Sequence, residues 1–371
     1  MAFFSSKIIT YKELKDGTYK SAYIPQDDKF PVTTHLTSGL RDALLDCPAN
    51  TDDSKTFMYV FVDDENKEIG RVFLHGTRIQ CGNEEYLGQT GLALEVVKEY
   101  RDESVGAELM LYSPFNKEYD YTLGAGISHM ILPMYRKLKF HMFEVPQYIK
   151  IIHSRYALKR YCFKGAMLKM VAGIGDCVIK IMNIPNRIRG FRMSKKYIIK
   201  KESIIPDWVT EMTTNEGHKY KEVHDREWFQ WIIDHNAQDI DECTDVIKSF
   251  YSVCDKQNKP LGFFMTKERL NMQSGPRNGY HVGTVVEWES IDKNILSESD
   301  LNLLACRTFS KKVDLIITLA CEIGTGKELG KMGFVRRGVY YIGLKDKKKQ
   351  LKDAGDQNKW RLRFGYTNMA L

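Results

Sequence analysis

The clearest pattern of apolar and polar positions lies between Leu92 and Phe140. Leu92, Leu94 and Val96 alternate with Ala93, Glu95 and Val97, the two-residue period of a half-buried strand. The alternation breaks at Lys98-Glu99-Tyr100. After a short loop Val105, Leu109, Leu111 and Tyr112 recur near helical spacing, with Gly106-Ala107 at the helix mouth. A further strand follows, then a second helix that ends in Tyr135-Arg136-Lys137-Leu138-Lys139-Phe140. Upstream, the run FMYVFV from Phe57 and the run IGRVFLHGT ending at Thr77 flank the polar turn Asp63-Asp64-Glu65-Asn66-Lys67 and read as a hairpin. Strand-like pieces over Lys7 to Tyr11 and Tyr19 to Ile24, and a helical stretch from Ser38 to Leu45 stopped by Pro48-Ala49-Asn50, come before it. A meander of strands feeding a loop and a helix predicts a mixed α+β sheet.

The same punctuation returns in the second half. Asp63-x-x-Asn66-Lys67-x-Ile69-Gly70 is matched 192 residues later by Asp255-x-x-Asn258-Lys259-x-Leu261-Gly262, and Tyr135 to Phe140 is matched at an offset of 194 by Leu329-Gly330-Lys331-Met332-Gly333-Phe334. Two nearly equal offsets close to half the chain predict an internal duplication. The second copy differs where ligand chemistry would sit. Its strand, His281 to Ile291, runs into Asp292-Lys293-Asn294-Ile295-Leu296-Ser297 with neither Arg nor Gly, and Ser297-Glu298-Ser299-Asp300 predicts a helix cap. Leu329 stands in place of Tyr135. Gly324-Thr325-Gly326-Lys327 lacks the phosphate-loop spacing and reads as a helix start. One functional site would therefore belong to the first copy. Domains are expected over residues 1–150 and 202–371, with a connector over 151–201.

Charge changes this picture in one place. The 371 residues carry a net +7, but fourteen Lys or Arg face the single acid Asp176 between Lys150 and Lys201, leaving 41 basic against 47 acidic residues elsewhere. Ser154 to Asn183 interleaves Tyr156, Leu158, Tyr161, Phe163, Met167, Leu168 and Val171 with Arg155, Lys159, Arg160, Lys164 and Lys169. That pattern predicts a basic amphipathic helix, either a solvated face or a surface for an anionic partner such as a carrier protein or a membrane. No nucleic-acid motif accompanies the charge, so DNA is not expected. No apolar run reaches the ~20 residues that span a bilayer. The start MAFFSSKIIT is too short in apolar residues for a secretory signal, which predicts a cytoplasmic protein. Eight scattered cysteines without a C-x-x-C pair predict neither a metal site nor a disulfide framework. Trp228 and Trp231, three apart, fit one buried helical face, and the tail from Lys359 to Tyr366 alternates apolar and basic residues like a final strand.

The stretch Val96-x-Lys98-Glu99-Tyr100-Arg101-x-x-Ser104-x-Gly106-Ala107 resembles the pyrophosphate-binding signature of the GNAT acyltransferase superfamily, which follows a splayed strand. Tyr135 to Phe140 is similar to that superfamily's closing-helix pattern. Ser104 replaces the middle loop glycine, Lys139 replaces the glycine before Phe140, and Asp102 and Glu103 add negative charge to the loop. The resemblance implies two GNAT-like domains, each a mixed and mostly antiparallel sheet flanked by helices, the second degenerate. It implies an N-acyltransferase with acetyl-CoA as co-substrate, no metal, and a primary amine of a small molecule or amino sugar as acceptor. The open alternatives are an aminoacyl-tRNA-dependent transferase of the bridge-forming type and a non-catalytic acyl-CoA or carrier-protein binding module. Backbone N–H groups around Leu94 to Val97, chiefly Val96 and Val97, would hold the pantetheine and thioester oxygen. Those of Ser104, Val105, Gly106 and Ala107, with Arg101, would hold the pyrophosphate. Tyr135 would be the general acid for the leaving thiolate and Glu95 the candidate base, with His129 a weaker one.

Overall fold

Each half of the chain is set going by the same turn. Asp63 accepts from the N–H groups of Glu65 and Lys67 at 3.0 and 2.8 Å, while Asp255 accepts from those of Gln257 and Lys259 at 2.9 and 2.8 Å. Asn66 and Asn258 take the left-handed conformation, with φ of 62° and 63°. Asn tolerates that region, and the aspartate loop fixes which residues turn. The repeated motif is thus repeated geometry.

The computed structural model describes residues 4–19, 38–158, 165–235, 243–271, 279–322 and 324–366. The first half runs β1 (Phe4–Thr10), α1 (Tyr11–Lys15), α2 (Ser38–Leu45), β2 (Thr56–Asp63), β3 (Glu68–Cys81), β4 (Glu84–Val96), one 3-10 turn, α3 (Val105–Phe115), β5 (Tyr121–Ala125), α4 (Leu132–Lys137) and β6 (His141–Ile151). The connector carries α5 (Arg155–Leu158), α6 (Gly165–Met182) and α7 (Ile184–Lys196). The second half runs β7 (Ile198–Glu202), α8 (Trp208–Thr214), β8 (Tyr220–Glu222), α9 (Arg226–Asp234), β9 (Cys243–Cys254), β10 (Pro260–Asn271), β11 (Tyr280–Ser290), α10 (Glu298–Thr308), β12 (Leu315–Leu319), α11 (Thr325–Lys331), β13 (Val335–Asp346) and β14 (Trp360–Arg361).

All the strands join one sheet in the order β1-β2-β3-β4-β5-β13-β6-β12-β11-β10-β9-β7, with β8 bridging β3 and β14. The order reads the same from either end once each element is replaced by its repeat. The middle is exchanged: β13, from the second half, lies between β5 and β6, while β6, from the first, lies between β13 and β12. The parallel pairing of Gly88 to Thr90 with Tyr121 to Leu123 recurs as Val282 to Thr284 with Leu315 to Ile317, an offset of 194 in both strands. The fold is α+β, as the pattern predicts.

The exchanged strand also fixes the helices of the first copy. Lys347 donates to the carbonyls of Ser113 and Asn116 at 3.2 and 2.6 Å, and Lys345 donates to that of Leu138 at 2.5 Å. Cationic side chains thereby satisfy orphan carbonyls where α3 and α4 end. Beneath the sheet one continuous hydrophobic cluster runs through both halves, from Phe57 and Phe73 to Phe250, Phe263 and Leu315. Trp228 and Trp231 belong to it, with the Trp231 indole N–H donating to the Ala43 carbonyl at 2.7 Å.

Several expectations shift in detail. The first strand starts at Phe4 and stops before Tyr11, because Thr10 and Glu13 form a capping box that turns the chain into α1. Of the piece predicted over Tyr19 to Ile24, residues 20–24 lie outside the described residues, as do 159–164 of the basic segment, whose helix begins again at Gly165. The cap predicted at Ser297 is present, with Asp300 completing the box, and Gly324 at φ 89° opens α11 as a plain helix start. The tail forms only the two-residue strand β14, and its basic residues face inward: Arg361 and Arg363 are buried against Glu287 and Glu289 of β11. The alternation predicted a final strand from Lys359 to Tyr366; only Trp360 and Arg361 pair as one, while carboxylates on β11 hold the arginines inside.

Candidate active site

β4 and β5 pair over only three residues and part beyond Thr90 and Leu123. β4 also bulges there: Arg71 faces Glu95 while Phe73 faces Leu92, so β4 spends one more residue than β3 on the same stretch. A bulge bends the strand that carries it and leaves backbone groups off the ladder. The parting strands, α3 and α4 enclose a cavity of about 320 Å³ lined by Gly91 and Leu94, Gly124 to Ile127, and apolar side chains that include Leu109, Met110, Ile131 and Phe140.

Small residues keep this gap open, and the second copy shows what closes it. At the offset of 194, Gly91, Gly124 and Gly126 become Val285, Thr318 and Ala320, and the 40% exposed Leu94 becomes Trp288, which is 1% exposed with the Arg363 guanidinium over its ring at 4.6 Å. Val285 and Thr318 are fully buried. Larger side chains thus occupy in the second copy the positions that line a cavity in the first.

Tyr135 enters the cavity from α4. A Cβ on Gly124 would lie 3.0 Å from its Cε1 and 3.1 Å from its hydroxyl oxygen, so glycine on β5 is what admits the ring. Phe140 braces it at 4.7 Å between ring centroids. The backbone turns between them through Lys139 at φ 59°, a conformation the second copy gives to Gly333. Among the described residues no hydrogen-bond partner is present for the Tyr135 hydroxyl, and burial raises its pKa. The phenol stays protonated and points into the space where a ligand would bind.

The predicted phosphate loop leads into α3 after the 3-10 turn at Lys98–Tyr100. Ser104 is the cap residue but makes no capping bond; its hydroxyl donates to Glu108 at 2.6 Å. The N–H groups of Val105, Gly106 and Ala107 open the helix, and that of Glu108 is the first to bond back, to the Ser104 carbonyl at 3.0 Å. The Val105 side chain packs on β3, where a Cβ on Gly70 would lie 2.8 Å from it, so helix and sheet meet closely. Arg101 folds back, its Nε donating to the Val96 carbonyl at 3.0 Å. The Val97 N–H is committed to the Ile69 carbonyl at 2.8 Å on the β3 side. By strand alternation the Val96 amide therefore faces the opposite edge, toward the parting of β4 and β5.

Glu95 does not share the cavity with Tyr135. Leu94 takes the lining position, and Glu95 lies beside Arg71, which bonds Glu68 at 3.1 Å and Glu95 at 3.4 Å. Burial raises the Glu95 pKa to about 7; Arg71 opposes this, but its charge is shared and Glu68 pushes the other way. A raised acid binds its proton more tightly when folded. Stability should therefore fall as pH rises from 4.5 through about 7, by up to ~3 kcal/mol. Denaturant unfolding at pH 5 and pH 8 checks this, and Glu95→Gln should flatten the difference. His129 is exposed, with its ring 5.4 Å from that of Tyr341, and does not line the cavity.

Sequence reasoning missed the residues that make the cavity, Gly91 and Gly124. Comparing the two copies position by position at 194 would have marked both as glycines replaced by larger residues.

No protein-family model and no curated protein sequence matches the chain. Solved structures do. Two structures of Saccharomyces cerevisiae N-myristoyltransferase with bound myristoyl-CoA are similar at 11% and 13% identity, covering 93% of this chain and 83% and 79% of theirs, with TM-scores of 0.54 and 0.56. A protein from Enterococcus faecalis V583 described as a probable N-acyltransferase is similar at 10% identity over 92% of this chain and 72% of its own, with a TM-score of 0.50. With the parted strands, the helix opened after the bulge and the paired halves, these likenesses give the chain a GNAT-like fold built as two units in one sheet.

Proposed function

We propose that the chain is an acyl-CoA-dependent N-acyltransferase with its active site in the first copy. The observation that carries this reading is the glycine-lined parting of β4 and β5 with the Tyr135 hydroxyl inside it. The pantetheine arm would lie in the gap against the outward amides of the bulged strand, and the pyrophosphate would lie at the N–H groups of Ser104 to Ala107 with Arg101 swung out from Val96. The neutral amine attacks the thioester carbonyl and the oxyanion rests on the β4 amides. The C–S bond then breaks, Tyr135 gives its proton to the departing thiolate, and the amine proton leaves to water.

The short-chain form of this reading is acetyl transfer to a primary amine of a small molecule or amino sugar. The apolar lining from Leu109, Met110, Ile127, Ile131 and Phe140 favours a second form, in which the donor carries a longer acyl chain. Thermal unfolding with CoA, acetyl-CoA and myristoyl-CoA separates them. A ligand at about 100 times its Kd adds ~2.7 kcal/mol. A shift with all three that Arg101→Ala diminishes supports the site; a larger shift with myristoyl-CoA selects the longer donor. No shift with any of them would reject CoA as the donor.

A further inference from the structure

We propose that α6 and α7 lie flat on an anionic lipid surface, with their apolar stripe among the acyl chains and their cations at the headgroup phosphates. This inference is independent of the reaction proposed above. α6 is packed by one face only. Ser154 donates from its N–H to Asp176 at 2.6 Å and from its hydroxyl to the Ala172 carbonyl at 2.7 Å, and a Cβ on Gly175 would lie 2.7 Å from the Ser154 side chain. α7 is held through Arg189, 2.7 Å from Asp300, and through buried Gly190 against Arg307.

The outer face is apolar. Met167, Met170, Ile174, Val178 and Ile181 recur at steps of three and four residues along α6, each between 50% and 65% exposed. Ile184, Ile188 and Phe191 form a second exposed apolar row along α7, each between 47% and 53% exposed. A helix on the surface of a globular protein normally turns such a stripe inward, and a contiguous apolar face left in water marks an interaction site.

Charge selects the occupant. Lys169, Lys180, Arg187, Arg192, Lys195 and Lys196 are exposed on the same two helices, and none has a carboxylate partner among the described residues. The one acid of the segment, Asp176, is already held by Ser154 and His153. An amphipathic helix with an aliphatic face and Lys or Arg around it is the form that lies in a membrane interface, where each cation is drawn to the anionic leaflet. Among the described residues no helix is long and apolar enough to cross a membrane, which fits lying on one. Single-stranded nucleic acid is bound by aromatic stacking, and these two rows hold one aromatic residue, Phe191. A second copy on the same face would bring two sets of cations together with no acid between them.

Flotation of the full chain with vesicles of phosphatidylcholine, alone or mixed with phosphatidylserine, tests this. The wild type should float with the mixed vesicles. Ile174→Gln/Val178→Gln should weaken that binding by more than about tenfold, and Lys169→Gln/Lys180→Gln should weaken it and reduce its salt dependence. These side chains are exposed, so unchanged melting temperatures verify that the variants are folded. Failure of the wild type to float with either vesicle would overturn the proposal, as would flotation that ignores the apolar pair. So would concentration-dependent dimerisation, or tRNA binding, that accounts for the face in place of lipid.

Discussion

Tyr135→Phe is expected to lower turnover by about 10²–10⁴-fold while leaving acyl-CoA binding nearly unchanged. The substitution removes one oxygen and keeps the ring that Gly124 admits and Phe140 braces, so the cavity keeps its shape. The other hydroxyls on its wall are engaged: Thr122 donates to the Ser113 carbonyl at 3.1 Å, and the Gln89 amide donates to the Ser113 hydroxyl at 3.2 Å and to that of Thr122 at 3.3 Å. Thr122 could take over the proton transfer only by giving up its bond to Ser113. Steady-state rates beside ligand-induced thermal shifts check the split. Equal loss in both would make Tyr135 a wall of the site, and no loss in either would remove it from the chemistry.

The largest expected effect on stability lies in the buried seam at the end of the chain. Arg361 bonds Glu287 at 2.8 Å and Glu289 at 3.2 Å with no solvent exposure, and His224 bonds the other oxygen of Glu287 at 2.8 Å. Burial pushes the Glu287 carboxyl up, but the charges of Arg361 and His224 outweigh it and hold the carboxyl below its ordinary value. Arg361→Ala removes the guanidinium that bonds both carboxylates and leaves Glu287 with His224 and Glu289 with Arg363 at 3.6 Å; truncating one partner of a buried ion pair costs about 3–5 kcal/mol. Arg361→Met with Glu287→Leu should recover part of that loss, because one cation and one anion leave together while Arg363 keeps Glu289 and His224 keeps Glu222. Urea unfolding of the single and double variants measures both.

What could be read in the sequence was local chemistry. The Asp-x-x-Asn turns, the Ser297 cap and the helix after Gly106 each need only a few neighbouring residues, and the structure has all of them. The repeat was legible for the same reason, since it is a pair of such local signals at a fixed distance. The exchange of β6 and β13 was not, because pairing between strands nearly two hundred residues apart leaves no mark on either strand alone. The partners of Arg361 and Arg363 were not legible for a related reason: two apart on the tail, they answer Glu287 and Glu289, two apart on β11, and neither pair by itself says that the other exists. In the candidate site the loop and Tyr135 were visible as residue types, whereas Gly91 and Gly124 act by what they lack. Whether Glu95 faces the same space as Tyr135 depended on the bulge in β4, which alternation does not reveal.

The exchanged strand also governs how the protein can be made. Beside β4, β5 finds its other neighbour only in β13, and α3 and α4 receive their C-terminal lysines from that strand and the residue after it, so the first copy cannot finish its sheet until residues 335–347 have been synthesised. A nascent first half would carry bare edges on β5 and β6, the kind of edge that invites wrong pairing. Pairings so distant along the chain also slow folding, because the loop must close before any contact rewards it. The two halves are therefore expected to fold as one cooperative unit after synthesis, and neither should persist when expressed alone.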